Sequence, residues 1–127
     1  MKLKNETLSK NFLIYGFGKS GISSLKYLKK KNRCFIFDDD KKKIKNKYKK
    51  FFISKSKLLN NNFDYIVISP GININRCQLS NYLKKNQKKV ITDFDIFYKF
   101  NPEVLTITIT GTNGKSTTSK LLYDILK

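Results

Sequence analysis

The feature that most constrains this chain is a set of three glycines at fixed spacing, Gly16-Phe17-Gly18-Lys19-Ser20-Gly21. It lies between a short apolar run, Asn11-Phe12-Leu13-Ile14-Tyr15, and a stretch in which Ile22, Leu25 and Leu28 recur every three residues. Such a run reads as a buried strand and such a recurrence as one face of a helix, expected over 20–30 with Ser20 as its N-cap. A second apolar stretch, Cys34-Phe35-Ile36-Phe37, then ends in Asp38-Asp39-Asp40. Strand, glycine turn, helix and strand in so short a span make a βαβ unit with a parallel pair. Each glycine of such a turn has its own task. Gly16 permits the tight turn, Gly18 lets the backbone approach a pyrophosphate, and Gly21 allows close packing of helix on strand. Asp38 stands roughly 20 residues beyond the first glycine, where an acid reaches a ribose or base. On this loop alone, a nicotinamide-dinucleotide domain and a glycine turn without a ligand both remain open.

The rest of the chain continues the alternation. Strands are expected at Phe51-Phe52-Ile53, at Tyr65-Ile66-Val67-Ile68 and at Val90-Ile91. The second of these stops at the turn signal Ser69-Pro70-Gly71. Leu79, Tyr82 and Leu83 share a helical face, and a further helix is expected from Asp93 to Phe100, with Phe94, Phe97 and Tyr98 grouped at helical spacing. Asn101-Pro102 breaks it and marks the expected domain boundary, dividing 1–101 from 102–127. Near-continuous apolar strands alternating with helices predict an α/β fold: a Rossmann-like parallel sheet with helices on both faces.

A second glycine loop follows that boundary. Residues 104–110 read as a β-branched strand, and Gly111-Thr112-Asn113-Gly114-Lys115-Ser116-Thr117 then opens a helix carrying Leu121, Leu122, Ile125 and Leu126. This is the layout of a phosphate loop at the start of an ATPase domain. The backbone amides make an anion nest, Lys115 reaches the β and γ phosphates and stabilises their charge, and Ser116 binds Mg²⁺. Ile109 stands where the strict motif has glycine, and Gly111 comes two residues later. Two nucleotide sites in series suit an ATP-driven enzyme whose other substrate is itself a nucleotide conjugate.

Charge and cysteines narrow the function classes. The net charge of +18 would ordinarily suggest a nucleic-acid partner. Arginine, the residue of bidentate base and phosphate contacts, appears only at Arg33 and Arg76, and the excess is almost all lysine in an Asn-, Ile- and Phe-rich background. That is the residue usage of A+T-rich codons, so no nucleic-acid partner is expected. The lysine-rich run 41–50 reads as a solvated loop or short helix. Cys34 and Cys77 lack metal-ligand spacing and the chain has no histidine, so zinc is excluded and two reduced thiols are expected. There is no apolar run long enough to span a bilayer and no signal-peptide core after Met1, which predicts a cytoplasmic protein without membrane insertion.

Taken together, these residues resemble the Mur ligase family, and within it the D-glutamate-adding branch. The opening loop from Gly16 to Ser23, the turn Ser69-Pro70-Gly71-Ile72, the acidic-aromatic segment Asp93-Phe94-Asp95-Ile96-Phe97 and the loop from Ile109 to Thr117 are each similar to a segment of that branch, in order and over nearly all the chain. In that family Ile109 is the ordinary residue of its own variant of the phosphate loop. The resemblance implies UDP-substrate contacts at Gly16, Gly18, Lys19, Ser20, Gly21, Asp38 and Gly71, with Lys19 and Ser20 at the diphosphate and Asp38 near the uridine. It implies ATP at Gly111, Thr112, Asn113, Gly114, Lys115, Ser116 and Thr117, with Mg²⁺ at Ser116. The implied reaction joins D-glutamate to UDP-N-acetylmuramoyl-L-alanine through an acyl phosphate, in peptidoglycan synthesis, and the full-length enzyme is expected to be a monomer. Further ligands in the family come from later sequence, so this chain alone is expected to be inactive. One departure stands out: Asp39 and Asp40 follow Asp38 where the family commonly has Thr-Arg or similar. Three carboxylates facing a diphosphate would repel it, with Lys41 the nearest compensating charge. An NAD(P)-binding module and the L-alanine-adding relative remain the alternatives.

Overall fold

The computed structural model describes residues 9–127. Four parallel strands form its sheet: β1 (Asn11–Tyr15), β2 (Arg33–Phe37), β3 (Tyr65–Ile68) and β4 (Val90–Ile91), in the spatial order β2-β1-β3-β4. The chain moves outward from β1 to β2, then crosses back over β1 to β3. The reversal puts a topological switch point between β1 and β3, and in open α/β sheets ligands bind beyond the carboxyl ends of the strands at such a point.

Alternation along each strand feeds two cores, because successive side chains leave a strand on opposite faces. Phe12, Ile14, Ile36 and Val67 pack on one face with Leu25 and Leu28 of α1 (Lys19–Leu28) and Ile96 of α4 (Asp93–Phe100). Leu13, Tyr15, Phe37 and Ile66 pack on the other with Leu58 of α2 (Lys55–Leu59) and with Leu79 and Leu83 at α3 (Ser80–Lys85). Both faces of the sheet are covered, as its apolar strands require.

Several details differ from expectation. Helix α1 starts one residue early, with Gly18 as N-cap, and Ser20 lies inside its first turn. The expected strand at 51–53 is reduced to a single parallel bridge between Phe52 and Ile36. Phe51 ends a 3₁₀ turn, Asn46–Phe51, whose Tyr48 is buried edge-on against Phe17 with ring centroids 5.0 Å apart. The lysine-rich run is therefore two short 3₁₀ turns, Lys41–Lys43 and Asn46–Phe51, pinned to the core by Ile44 and Tyr48. In α4 the residue facing the core is Ile96, while Phe94 is 71% exposed and Phe97 and Tyr98 are also exposed.

The largest departure is at 104–110, where no strand forms. A strand is completed by hydrogen bonds to a neighbour, and among the described residues no segment pairs with it; Leu105 is 97% exposed. Helix α5 (Lys115–Leu126) does form, with its apolar Leu121, Ile125 and Leu126 exposed. Among the described residues no helix is long and apolar enough to cross a membrane.

Helix α1 can approach the loop before it only because residue 21 is glycine. A Cβ there would stand 2.2 Å from the carbonyl oxygen of Gly16. Gly21→Ala is expected to lower unfolding free energy by about 2–3 kcal/mol in urea denaturation, as overpacking against backbone does. Helix α4 begins with a reciprocal capping box between Thr92 and Asp95. The Asp95 carboxyl is held below its ordinary value by the backbone N–H and then the hydroxyl of Thr92, both of which donate to it. A depressed carboxylate stabilises the fold above its unfolded-state value and loses that contribution as pH falls through the folded-state value. Thr92→Ala should therefore cost about 1 kcal/mol at neutral pH, and the gap between variant and parent should narrow in acid, read by denaturation at pH 7 and pH 3.

Candidate phosphate-binding loop

The loop between β1 and α1 lies at the switch point and is braced from three sides. From β2, the Phe37 carbonyl accepts the Gly16 N–H at 2.9 Å. From β3, the Ser69 hydroxyl donates to the Gly16 carbonyl at 2.7 Å, while the Ser69 N–H donates to the Tyr15 carbonyl at 3.0 Å. From the end of β2, Asp38 accepts the Phe17 N–H at 2.6 Å. Gly16 has φ of +88°, the left-handed region that glycine enters without strain. A Cβ on Gly16 would also collide with Ser69 and Ile72, at 2.9 to 3.0 Å. The two glycine-bearing turns, Gly16–Gly21 and Ser69–Gly71, are thus one structural unit, although more than fifty residues separate them.

What the brace leaves open is as informative as what it closes. A Cβ at Gly18 or at Gly71 would meet nothing within 4 Å. The first α1 amide to find a carbonyl is that of Ile22, on Gly18 at 3.0 Å. Helix α1 has no side-chain cap and no acid in its first turn. Among the described residues the first N–H groups of that turn have no hydrogen-bond acceptor, and they stand with the positive end of the helix dipole beside the bare Cα of Gly18. This arrangement accepts an anion that approaches the backbone closely.

The acidic turn after β2 does not present three free carboxylates to this space. Asp38, 5% exposed, accepts from the Phe17 N–H through one oxygen and from the Asp40 N–H through the other. Asp39 accepts the Tyr15 hydroxyl at 2.7 Å and, on its second oxygen, the Gln78 N–H at 3.4 Å. Asp40 caps the following 3₁₀ turn by accepting the Lys42 N–H. Burial, then hydrogen bonding with Cys77 and Asp39, raises the Tyr15 phenol above its ordinary value, so it stays a neutral donor to Asp39. The ammonium of Lys41 lies over the Phe52 ring, 5.9 Å from its centroid. Asp38 thus shapes the loop as well as flanking it, a role that its position alone did not disclose.

One contact near the loop is not legible in the sequence. The Ser20 hydroxyl donates to Oδ2 of Asp93, the first residue of α4, at 2.6 Å. The cysteines are free, and burial pushes the Cys34 thiol up to about 11, which makes it unreactive at neutral pH. A cavity of about 580 Å³ opens at the other end of the sheet, where the strands begin, beside Lys10, Asn32, Tyr65 and Lys99. No residue of either glycine loop lines it.

The second loop also turns through glycines at positive φ into a helix, but it has no such brace. Gly111 and Gly114 have φ of +144° and +75°, and Gly114 is the N-cap of α5. The Lys115 ammonium folds back to donate to the carbonyls of Gly111 and Thr112. Thr112, Asn113, Ser116 and Thr117 are exposed. Among the described residues, no hydrogen bond ties this loop to the first one. Nor does any group of three or more Cys, Asp or Glu side chains gather as a metal cage.

Comparison with known proteins agrees with this geometry. Residues 10–92 match the family described as Mur ligase MurD-like, N-terminal domain. Among curated proteins, the chain is similar to three that bear the name UDP-N-acetylmuramoylalanine–D-glutamate ligase. The protein of Rickettsia bellii is 33% identical over 91% of this chain and 26% of its own length. That of Caldicellulosiruptor saccharolyticus is 32% identical over 96% and 29%, and that of Wolbachia pipientis 32% over 97% and 25%. The chain thus spans about a quarter of the length of these relatives. With its glycine loop stitched to a Ser-Pro-Gly turn at the switch point of a parallel sheet, the chain belongs to the MurD-like Mur ligases, through their N-terminal domain.

Proposed function

We propose that residues up to 101 hold the UDP moiety of UDP-N-acetylmuramoyl-L-alanine, and that 102–127 open the ATP-binding domain of a cytoplasmic enzyme that joins D-glutamate to it. The observation that carries the first part is the pair of open glycines, Gly18 and Gly71, beside the uncapped amides of α1. A diphosphate fits this cradle because it can lie against the backbone, take N–H groups and meet the helix dipole. Lys19 and Ser20 sit in the same turn to supply a charge and a hydroxyl. Asp38 holds the loop closed beneath it and stands nearest to where a ribose would lie. The names of the relatives support the choice of a UDP-linked acceptor over a nicotinamide cofactor.

For the second loop, the residues fit a nucleotide triphosphate. Two glycines at positive φ precede a helix of 12 residues with no acid in its first turn. Gly111, Thr112, Asn113 and Gly114 would wrap the phosphates, Lys115 would balance their charge, and Thr117 would border them. Ser116 would give Mg²⁺ one oxygen ligand. ATP supplies the phosphoryl group that activates the L-alanine carboxylate as an acyl phosphate, which the amine of D-glutamate then attacks. With 104–110 unpaired and Lys115 turned onto its own loop, this chain alone is expected to release no ADP from ATP.

Titration separates this proposal from the dinucleotide alternative. UDP and UDP-sugars are expected to bind and NADH is not; tight NADH binding with no response to UDP would overturn the reading. Because the space over Gly18 is empty, Gly18→Val should leave the melting temperature nearly unchanged while weakening UDP by about tenfold or more. A parallel assay of ADP release should stay at background for the parent chain and for Lys115→Ala alike.

A further inference from the structure

The contact between Ser20 and Asp93 is one that a bound diphosphate has to break. The Ser20 hydroxyl donates to Asp93 Oδ2 at 2.6 Å, and Asp93 Oδ1 accepts the Phe94 N–H at 3.1 Å. The sheet creates this meeting. Its edge strand β4 hands the chain directly to α4, which packs beside α1 through the buried Ile96. Asp93 is not needed to cap α4, because Thr92 and Asp95 already do so reciprocally. Its carboxylate instead reaches the first turn of α1, which has no acid of its own.

A hydroxyl has one proton to give. A phosphate oxygen that accepts it takes it from Asp93 and then lies within about 5 Å of an unpartnered carboxylate oxygen, where like charges repel. We infer that Asp93 is a positioning residue that sets diphosphate affinity by holding the Ser20 proton: the resting loop is latched to α4, and diphosphate binding releases that latch. This rests on the reading of the first glycine loop as a diphosphate cradle. The latch gives substrate binding a route to the rest of the chain. Helix α4 ends at Asn101, whose side chain meets the Tyr27 hydroxyl at 3.5 Å, and the chain runs from there to the second glycine loop. Occupation of the first loop would thereby free the first turn of α4 from α1.

The test is an NMR-detected titration of the chain and its variants with UDP and with uridine, which lacks the phosphates. Asp93→Asn keeps an acceptor oxygen and the side-chain size but removes the charge. It is expected to bind UDP about five- to tenfold more tightly, with uridine unchanged. In the parent, Ser20→Ala should alter UDP affinity by no more than about twofold, since the hydroxyl gains a phosphate only by losing Asp93. In the Asp93→Asn background the same change should weaken UDP by about tenfold. Non-additivity of that sign is not expected of a merely structural contact. UDP binding that is unchanged or weaker in folded Asp93→Asn overturns the inference, and so does an equal gain for uridine. If Asp93→Asn is not folded, Asp93→Ala gives the same reading, with α4 still capped by Thr92 and Asp95. Absence of UDP binding in the parent and every variant overturns the diphosphate reading itself, and the latch with it.

Discussion

The carbonyl oxygen of Gly16 is where the constraints on this domain converge. It accepts the Ser69 hydroxyl from β3, and α1 passes so close that residue 21 has no room for a side chain. The same residue's N–H is held by β2. Three elements therefore fix one residue, and that residue leads into the uncapped start of α1. The left-handed φ of Gly16, the bare Cα of Gly18 and the close approach at Gly21 are three consequences of one geometric demand: a strand must turn into a helix within three residues while exposing amides. Side chains added at Gly16 or Gly21 would collide, whereas one at Gly18 would fill the cradle. Fold and site are thus separable in this loop, glycine by glycine.

Most of the sheet and the first loop could be read from the sequence because their signals are local. The strands β1, β2 and β3 are apolar runs that end in turn residues, and α1 and α4 follow helical spacing. The failures share a physical origin in non-local partners. Phe94, Phe97 and Tyr98 look like a buried face, yet Ile96 is the residue that α1 and the sheet cover. A β-branched run such as 104–110 has strand propensity, but a strand exists only when another pairs with it. Asp38 was found by position and its partner was not, since nothing local says that an acid after β2 will accept the Phe17 N–H. Asp93 was missed as a neighbour of Ser20 for the same reason. The helix start at Asp93 was expected, and the structure adds the capping box that places it, Thr92 with Asp95 three residues on.

The charge distribution has a logic that net charge conceals. Lysines dominate the surface, but the few carboxylates are spent mainly on the backbone. Asp38 holds Phe17 and Asp40, Asp40 holds Lys42, Asp64 holds Asn11, and Asp95 holds Thr92. Among the described residues one ion pair is present, the exposed Lys120–Asp124 pair on α5, and such a pair adds little stability. Acids here fix turns instead of neutralising lysines. The unneutralised lysines leave a positive field over the domain, which draws anions from a distance, while the acids near the loop are engaged by the Phe17 N–H and the Ser20 hydroxyl.

The two glycine loops make the limits of local geometry plain. Each puts glycine at positive φ before a helix with no acid in its first turn. The first is held by β2, β3 and Asp38, so its amides and its lysine are free to face outward. The second is held by its own atoms, and its lysine is consumed in doing so, donating to the carbonyls of Gly111 and Thr112. In the proposed phosphate loop that ammonium is needed for the nucleotide, so the lysine would have to leave those carbonyls before it could serve. Neighbouring strands that fix the loop would remove the need for the internal contact. The local sequence is sufficient to shape the glycine turn, and on the proposed reading it would take a sheet around it to free the residues for a nucleotide.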